Sequence, residues 1–560
     1  MIGLCSLFLS ALLASSSLAA PTTSLGNPFK SAPGDPLDIL CNLPIISKLL
    51  CPRQNQGNTV SVLTRIGTAV GFSASGVNRF AVKYASASRW AESIVATSWR
   101  LPNGATNASA LPLACPQQGI DDSAFSEDCL SMVVYVPQSF SPVALKPVFM
   151  WIHGGSFIQG SATSAGLDGS NLAIATQSVV VVIQYRLGAL GLMAPDGSTN
   201  LALKDVINAL TFVNENIVAF GGDKSQVTVA GQSSGATMIR SLLAVPSASG
   251  LFKSAILQSD PMDYGFFSST TQKTLQNAYN QLINCDDSDY SCQKALSIDD
   301  ILNAQGTLYN EAGSGSLDAS AAGGEPLRTV HDGSLITSPL DSTAPFPSVN
   351  KPILVSTVSD EAAITIYGVE FKSPIPESTF APACQAGLGE ERAATVLNSS
   401  FYESRPTDGE EDARPQLEQL GTDYIWRCSS WTFARNWISH GGSAFVGMYT
   451  VGATYPGNEQ VPFCTQAGSV CHQDDIEIVF GTVPNPNSAQ SALIKETQAR
   501  YKAFLLTGSP NVPAYPPWTR ATPSNVHAFN LGGSGEVPVG SCDPSFWGAA
   551  VPYDYQVYGI

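Results

Sequence analysis

Two short stretches of the chain carry apolar side chains at almost every position, without an alternation of apolar and polar residues. Residues 147–153 run Pro-Val-Phe-Met-Trp-Ile-His, and residues 178–185 run Ser-Val-Val-Val-Val-Ile-Gln-Tyr. Both have the length of a β-strand, and a strand with one face in water would alternate. Continuous apolar runs are typical of strands covered on both faces. The pattern therefore predicts a buried, mostly parallel sheet between helices.

A helical pattern follows these two runs. Between residues 200 and 220 the apolar positions recur at helical spacing, and Gly221 and Gly222 follow as a stop signal. The stripe consists of Leu203, Val206, Ile207, Leu210, Val213 and Ile217. Further strand-like runs begin at residue 227 and occupy residues 252–258, 352–358 and 444–450. Residues 266–350 and 370–440 have a more helical pattern. Alternating β and α elements predict an α/β fold, with a large central sheet flanked by helices and with helical cap insertions.

The first 60 residues differ in character from the rest. Residues 1–19 contain an apolar run and end in a small-x-small pattern, which is typical of a secretory signal peptide, although no Lys or Arg precedes the run. Residues 20–60 are rich in proline and too few for a core of their own, so we interpret them as an extension. Residues 61–560 contain no visible repeat or low-complexity linker, which indicates a single domain. We therefore predict a secreted protein.

Charge and length restrict the possible partners. The chain has 560 residues and a net charge of −17, so nucleic acid and anionic membranes are poor partners for it. The apolar run near the start is too short to span a bilayer, and we expect no membrane anchor elsewhere. No cluster of residues has the spacing of metal ligands, so we predict neither a metal nor another cofactor. Oligomeric state stays open.

The cysteines fit an exported protein. Removal of Cys5 with the signal leaves eleven of the twelve cysteines, an odd number. Four sets of neighbours would close short loops, although spacing alone does not prove the connectivity. These neighbours are Cys41 and Cys51, Cys115 and Cys129, Cys285 and Cys292, and Cys464 and Cys471. Asn107 and Asn398 begin Asn-x-Ser sequons, so we predict glycosylation there if the chain is exported.

A candidate nucleophile lies where the run from Val227 meets a helical pattern. Residues 231–235 form the motif Gly-x-Ser-x-Gly, with β-branched residues before it and helix-favouring residues after it. A strand–turn–helix context of this kind exposes the serine, here Ser233, on a strained turn. Side chains at Gly231 or Gly235 would collide with the adjoining strand or helix. The helix N-terminus would stabilise negative charge at Ser233.

A nucleophilic serine needs a base, and the chain has five histidines: His153, His331, His440, His472 and His527. His472 lies in a loop that runs into an amphipathic segment. An acidic candidate, Glu361, comes earlier, directly after a predicted strand. The order Ser233, Glu361, His472 is that of the α/β-hydrolase triad. Chain order alone favours His472 only modestly, because most histidines are structural.

From about residue 60 to the C-terminus the chain resembles the type-B carboxylesterase family, which includes cholinesterases and secreted fungal lipases. The resemblance is carried by Glu-Asp-Cys-Leu at residues 127–130, Gly-Gln-Ser-Ser-Gly-Ala at 231–236, Tyr-Arg-Leu-Gly at 185–188 and Phe-Gly-Gly-Asp at 220–223. It implies a secreted ester hydrolase with Ser233 as nucleophile, Glu361 as acid and His472 as base. It also implies an oxyanion hole made by the N–H groups of Gly155, Ser156 and Ser234.

The resemblance carries expectations for the disulfides as well. Cys115 with Cys129 and Cys285 with Cys292 resemble two common bridges of the family, and Cys428 with Cys542 resembles a long-range bridge of the cholinesterases. If Cys41–Cys51 and Cys464–Cys471 also form, Cys384 stays unpaired.

Several positions depart from the family pattern. Gln232 stands where the family usually has Glu, which removes a negative charge beside the nucleophile and could weaken stabilisation of protonated His472. Ser234 replaces the usual Ala and Ser156 a usual Gly, but both keep the N–H that an oxyanion needs. Residues 80–85 lack the prolines common near this point, which predicts a different loop there.

The segment between Cys115 and Cys129 bears on specificity. It has only 13 residues and contains neither Trp nor Tyr, so we predict neither a large interfacial lid nor a choline site. This favours small-molecule substrates, namely short- to medium-chain or aromatic esters. Two alternatives stay open: a lipase or sterol esterase that acts at lipid interfaces, and a non-catalytic, cholinesterase-like binding module.

Overall fold

The computed structural model describes residues 58–139, 144–340, 350–404 and 411–548. The predicted signal peptide, nearly all of the extension, and Cys41 and Cys51 lie outside these ranges. Within them the chain forms a sheet of eleven strands with helices on both faces, and this confirms the predicted α/β architecture.

Fifteen strands are described, eleven of them in the central sheet. In chain order they are β1 Thr59–Thr64, β2 Gly67–Ala74, β3 Val77–Lys83, β4 Ala85–Ser86, β5 Ile94–Val95, β6 Ser131–Pro137, β7 Lys146–Ile152, β8 Val179–Ile183, β9 Gly222–Gln232, β10 Ser254–Gln258, β11 Phe267–Ser268, β12 Val330–His331, β13 Pro352–Val358, β14 Ser443–Tyr449 and β15 Phe529–Leu531. The sheet order is β1-β2-β3-β6-β8-β7-β9-β10-β13-β14-β15. Every neighbouring pair from β8 to β15 is parallel, and the pairs from β1 to β8 are antiparallel.

Twelve α-helices in the described ranges cover the sheet and its carboxyl edge. They are α1 Ser170–Thr176, α2 Gly188–Leu192, α3 Leu201–Asn216, α4 Ser234–Leu243, α5 Ser269–Ile283, α6 Tyr290–Ala295, α7 Ile298–Gly313, α8 Phe380–Leu397, α9 Arg414–Gly421, α10 Cys428–Ser439, α11 Ile476–Phe480 and α12 Ser488–Thr507. Helices α5 to α7 and α8 to α10 fall in the two regions predicted to be helical. The helix predicted from residue 200 ends at Asn216, and a 3₁₀ turn, Ile217–Phe220, leads to Gly221 at φ 77°.

Each central strand feeds two separate cores. In β7, Met150 packs into the core that also holds Leu210 of α3 and Ile239 of α4. Its neighbour Trp151 packs into the opposite core with Leu172 of α1. Successive side chains of a strand point to opposite faces, so a strand between two helical layers must be apolar at every position. This is the physical reason for the uninterrupted apolar runs.

The segment around residue 80 corrects a sequence-based expectation. Residues 80–83, predicted to belong to an altered loop, form the second half of β3, which pairs with β2 and β6. Phe80 is buried and its ring lies 4.9 Å from the ring of Phe220. The absence of proline therefore allows strand pairing here, because proline would remove a backbone donor from the ladder.

Four disulfides lie in the described ranges: Cys115–Cys129, Cys285–Cys292, Cys428–Cys542 and Cys464–Cys471. Cys384 is a free, buried thiol. The two sequon residues, Asn107 and Asn398, are both exposed. No helix in these ranges is long and apolar enough to cross a membrane.

Candidate active site

The predicted nucleophile lies in a sharp turn between β9 and α4. Ser233 has φ 56° and ψ −131°, a strained conformation for a residue with a side chain, and its N–H donates to the carbonyl of Gln258 at 2.9 Å. A Cβ on Gly231 would lie 2.7 Å from the carbonyl oxygen of Ile152, and one on Gly235 would lie 2.6 Å from that of His153. Both glycines are therefore required by close approach to the end of β7.

The predicted acid and base are paired at the same edge of the sheet. Glu361 follows β13, and His472 lies in the long loop after β14. The Nδ1 atom of His472 and the Oε2 atom of Glu361 are 2.5 Å apart, while Oε1 accepts from the N–H of Val358 at 2.9 Å. Glu361 is buried. A buried carboxylate in this position fixes the tautomer with the proton on Nδ1, so Nε2 is free to act as a base.

A second buried acid shapes the loop that carries His472. The carboxylate of Asp474 accepts three hydrogen bonds of 2.8 Å, from the N–H groups of Tyr455 and Cys471 and from the side chain of Asn458. Asn458 also donates to the carbonyl of His472 at 2.9 Å. These bonds give a long irregular segment a defined path, as catalytic geometry requires.

The acid and base segments are also joined directly. The N–H of Asp360 donates to the carbonyl of Val470 at 3.0 Å, and the N–H of Val470 donates to the carboxylate of Asp360 at 2.8 Å. Asp360 immediately precedes Glu361, and Val470 lies two residues before His472. The two halves of the acid–base pair therefore cannot separate without breaking this pairing.

The other ring nitrogen of His472 has a partner that the sequence did not reveal. The side-chain Nε2 of Gln232 lies 3.0 Å from Nε2 of His472. A Cβ on Gly154 would lie 3.0 Å both from Oε1 of Gln232 and from Cβ of Ser233. The side chains of Gln232 and Ser233 therefore both pack against Gly154. Among the described residues, the hydrogen-bond partners of the ring are Glu361 and Gln232, and none is the Ser233 hydroxyl. Catalytic hydrogen bonds often tighten only when substrate binds.

Charge around His472 favours its cation. Burial opposes the cation, but the carboxylate of Glu361, with further contributions from Asp475 and Glu325, outweighs burial and raises the pKa of His472 above its usual value. The ring of Trp426 lies 5.5 Å from the imidazole ring, centre to centre, and shields one side of it. Trp426 belongs to a π-helical segment, Thr422–Arg427, a conformation that is frequent at functional sites.

The predicted oxyanion donors lie in a strained loop after β7 and at the start of α4. Gly155, Ser156 and Phe157 have φ values of 115°, 50° and 63°. In the described part of the chain, no protein oxygen accepts a hydrogen bond from the N–H of Gly155, Ser156 or Ser234. The loop therefore presents backbone donors beside Ser233 that are available to an oxyanion.

Two polar side chains brace this loop, and sequence reasoning missed both roles. The hydroxyl of Ser234 accepts from the N–H of Phe157 at 3.1 Å, so the departure from Ala supplies a bond from helix to loop. The amide of Gln117, between Cys115 and Cys129, pairs with both backbone groups of Gly160 at 2.9 Å. In the sequence, the only indication of the role of Gln117 was its position in the short loop closed by Cys115 and Cys129.

A further buried carboxyl lies near the oxyanion loop. Glu325 is 7% exposed, and within the described ranges its Oε2 has no hydrogen-bond partner. Burial raises the pKa of Glu325 to about 7, against the effects of the nearby Ser156 hydroxyl and the Arg328 guanidinium. No motif marked this residue, because it stands in a loop with no recognisable spacing.

The other histidines are not placed to act on Ser233. The ring of His153 stacks on Tyr185 at 4.7 Å, its Nδ1 contacts the carbonyl of Gly154 at 2.8 Å, and burial lowers the pKa of His153 to about 4. His331 lies in the short strand β12, His440 directly follows α10, and His527 pairs with Glu536. In the described ranges, the only grouped metal-type ligands are Asp423, Cys428 and Cys542, and the two cysteines are joined in a disulfide, which leaves no thiolate.

Comparison with known proteins agrees with the geometry. A model of the Carboxylesterase family matches residues 58–540. The solved structure named "PNB ESTERASE" superposes with a TM-score of 0.69 at 24% identity, covering 84% of this chain and 95% of that one. A likeness at this identity supports the fold.

Two relatives align with more than 60% of this chain. The "Crystal protein" of Dictyostelium discoideum is 32% identical over 364 residues, 64% of this chain and 63% of that protein. The "Probable N-octanoylanthranilate hydrolase AqdA2" of Rhodococcus erythropolis is 30% identical over 416 residues, 70% of this chain and 79% of that protein. The chain thus spans slightly less than two thirds of the Dictyostelium protein.

Proposed function

The chain belongs to the carboxylesterase family, and on that premise we propose that it is a carboxylic ester hydrolase that acts through an acyl-enzyme on Ser233. In this proposal Glu361 orients His472, and His472 is the general base and acid. The observation that carries it is the 2.5 Å contact between His472 Nδ1 and the buried Glu361, which leaves Nε2 as an acceptor. That nitrogen contacts the side chain of Gln232, the residue before the strained Ser233.

The first half-reaction transfers the acyl group. The hydroxyl of Ser233 replaces the Gln232 amide at Nε2 of His472 and gives its proton to that nitrogen as its oxygen bonds to the ester carbonyl carbon. The carbonyl oxygen becomes an oxyanion, which accepts from the N–H groups of Gly155, Ser156 and Ser234. Collapse of this intermediate expels the alcohol, which takes the proton from His472.

The second half-reaction releases the acid. Water gives a proton to His472 Nε2 and attacks the acyl carbon, and the new oxyanion uses the same donors. Collapse breaks the bond to Ser233 Oγ, which recovers its proton from His472. The carboxylate of Glu361 stabilises the imidazolium in both halves.

Replacement of the nucleophile tests the mechanism. We expect Ser233→Ala to lower kcat on the order of 10⁵- to 10⁶-fold and to abolish stoichiometric labelling by an organophosphonate. Ser259→Ala is a matched control, because Ser259 is also a buried serine at a strand end with positive φ. Its hydroxyl has no hydrogen-bond partner in the described part of the chain. Ester hydrolysis that survives Ser233→Ala but not Ser259→Ala would contradict the proposal.

For the substrate we propose short- to medium-chain or aromatic esters. The segment between Cys115 and Cys129 is held down at two points, since Gln117 pairs with Gly160 and Gln118 donates to the carbonyl of Leu302 at 2.8 Å. A segment tied both to the oxyanion loop and to α7 is poorly suited to opening as an interfacial lid.

A series of nitrophenyl esters from acetate to palmitate, with benzoate added, tests this preference. We expect kcat/KM to peak at short or medium chains and rates to stay smooth across the solubility limit. A sharp rise in rate above that limit would indicate the alternative, a lipase or sterol esterase that acts at interfaces.

We further propose that the protein is secreted, with residues 1–19 as signal peptide and residues 61–560 as one domain, and is glycosylated at Asn107 and Asn398. Both asparagines are exposed, and four disulfides suit an oxidising compartment. Expression of the full chain in a secreting host, with the mass measured before and after glycosidase treatment, checks export and modification together. Retention in cells without glycan would contradict both.

A further inference from the structure

One contact at the site is not required by the hydrolytic cycle. The amide nitrogen of Gln232 lies 3.0 Å from Nε2 of His472, the atom that must receive the proton of Ser233. Gln232 is fully buried, at 0% exposed, and its other amide atom, Oε1, has no hydrogen-bond partner among the residues that the structure describes. The amide therefore makes one hydrogen bond, and that bond is directed at the base.

The direction of this bond depends on the protonation state of the ring. His472 donates from Nδ1 to Glu361, so neutral His472 presents a lone pair at Nε2. The NH₂ of an amide donates to that lone pair and favours the neutral ring. A carboxylate can only accept, so Glu, the usual residue of the family at this position, would favour the cation.

The carboxylates that act most strongly on His472 work in the opposite direction. Glu361 follows β13, Asp475 lies at the start of α11, and Glu325 lies in the loop before β12, and all three raise the pKa of His472. The side chain packed on the ring from the π-helical segment, Trp426, is uncharged. A fourth carboxylate, placed directly on Nε2, would add to this effect at the shortest distance.

We propose that Gln232 is a positioning residue that holds His472 in its neutral, proton-accepting form and thereby sets how far below neutral pH the esterase works. The inference rests on the proposed acyl-enzyme mechanism. It assigns a purpose to the departure from the family pattern: the amide offsets part of the negative charge that surrounds the base.

The test is the pH dependence of kcat/KM in two variants. Gln232→Glu is nearly isosteric and places a carboxylate on Nε2. We therefore expect the acid limb to move upward by about one to three pH units, and kcat/KM at neutral pH to fall by about tenfold or more. Gln232→Met removes the donor without adding charge. Its acid limb should move upward by less, roughly half a unit to one unit, because one hydrogen bond to the neutral ring is lost.

Gln226→Glu is the matched control, because it makes the same charge change on the same strand, at the end remote from His472. Its acid limb should coincide with that of the wild type. Equal loss of activity at every pH in both Gln232 variants, with no shift of the limb, would reduce Gln232 to a packing role and overturn the proposal.

Labelling of Ser233 by an organophosphonate separates this inference from the mechanism on which it rests. If the acyl-enzyme proposal fails, the wild-type protein and Ser233→Ala will be labelled to the same extent. If labelling does depend on Ser233 and the limb of Gln232→Glu still does not move, the mechanism stands and the role of Gln232 is wrong.

Discussion

The two sides of the site around Ser233 are held in place by different kinds of interaction. On the base side, buried carboxylates do the work: Glu361 holds the ring of His472, and Asp474 gathers three donors from its loop. On the oxyanion side, uncharged groups hold the loop in place: the strained backbone, and the amide of Gln117, which pairs with Gly160. The base side must stabilise a positive charge that appears during the reaction, while the oxyanion side must keep N–H groups unused until a negative charge appears.

This difference in charge explains why an amide supports the oxyanion loop and a carboxylate supports the base. A carboxylate near Gly155 or Ser156 would repel the oxyanion, so a neutral amide is the better support there. An amide in place of Glu361 would not stabilise the imidazolium. Glu325 is the exception, a carboxyl on the oxyanion side, and its pKa of about 7 keeps a substantial share of it uncharged at neutral pH.

Removal of charge from the base side should have the largest effect. We expect Glu361→Gln to lower kcat by about 10³- to 10⁴-fold, because the amide neither enforces the tautomer nor stabilises the cation. Steady-state kinetics with a soluble nitrophenyl ester measure this. Asp360→Asn, next in sequence, is the comparison, and a loss of equal size there would mean that loop structure, and not charge on the ring, is the cause.

Release of the oxyanion loop should have a smaller effect. Gln117→Ala breaks the paired bonds to Gly160 and leaves the disulfide intact, so we expect kcat to fall about 10- to 100-fold with a smaller change in KM. Gln118→Ala is the matched control, since Gln118 contacts α7 and not the oxyanion loop. Equal losses in the two variants would show that the disulfide segment matters as a whole.

Loss of the bond from helix to loop should be milder still. Ser234→Ala restores the residue usual in the family and keeps the N–H, so the bond from Phe157 and the interaction of the hydroxyl with Tyr185 disappear. We expect kcat to fall about two- to tenfold, in line with one hydrogen bond of about 0.5 to 1.5 kcal/mol. A loss greater than about 100-fold would show that the hydroxyl itself takes part in the reaction.

We expect the smallest effect from a change of Glu325, a residue on the oxyanion side that acts on the base, His472. Glu325 contributes to the raised pKa of His472, so Glu325→Gln should lower that pKa, and kcat/KM should persist to lower pH by less than about one unit. The sign follows because the active form of His472 is neutral and a neighbouring carboxylate favours the cation. An upward shift of the acid limb would show that Glu325 acts on the oxyanion loop instead.

Periodicity and motif spacing predicted the α/β fold, which the structure confirms, because both depend on local sequence. The roles of the candidate site residues stay predictions. The apolar runs at residues 147–153 and 352–358 became β7 and β13, and the motif around Ser233 became a strand–turn–helix with positive φ. The contacts of Gln232, Ser234 and Gln117 could not be predicted in this way. Each joins residues far apart in the chain or depends on which way one side chain turns.

The sequence by itself determined the layered α/β architecture, the family and the order of Ser233, Glu361 and His472, since continuous apolar runs, helical periodicity and turn chemistry are encoded within short windows. Only the tertiary structure decided which groups meet at the base. Parallel strands end at one edge and bring loops after β7, β9, β13 and β14 together. At that edge the amide of Gln232 reaches the ring of His472 from 240 residues away, a distance along the chain that no local pattern records.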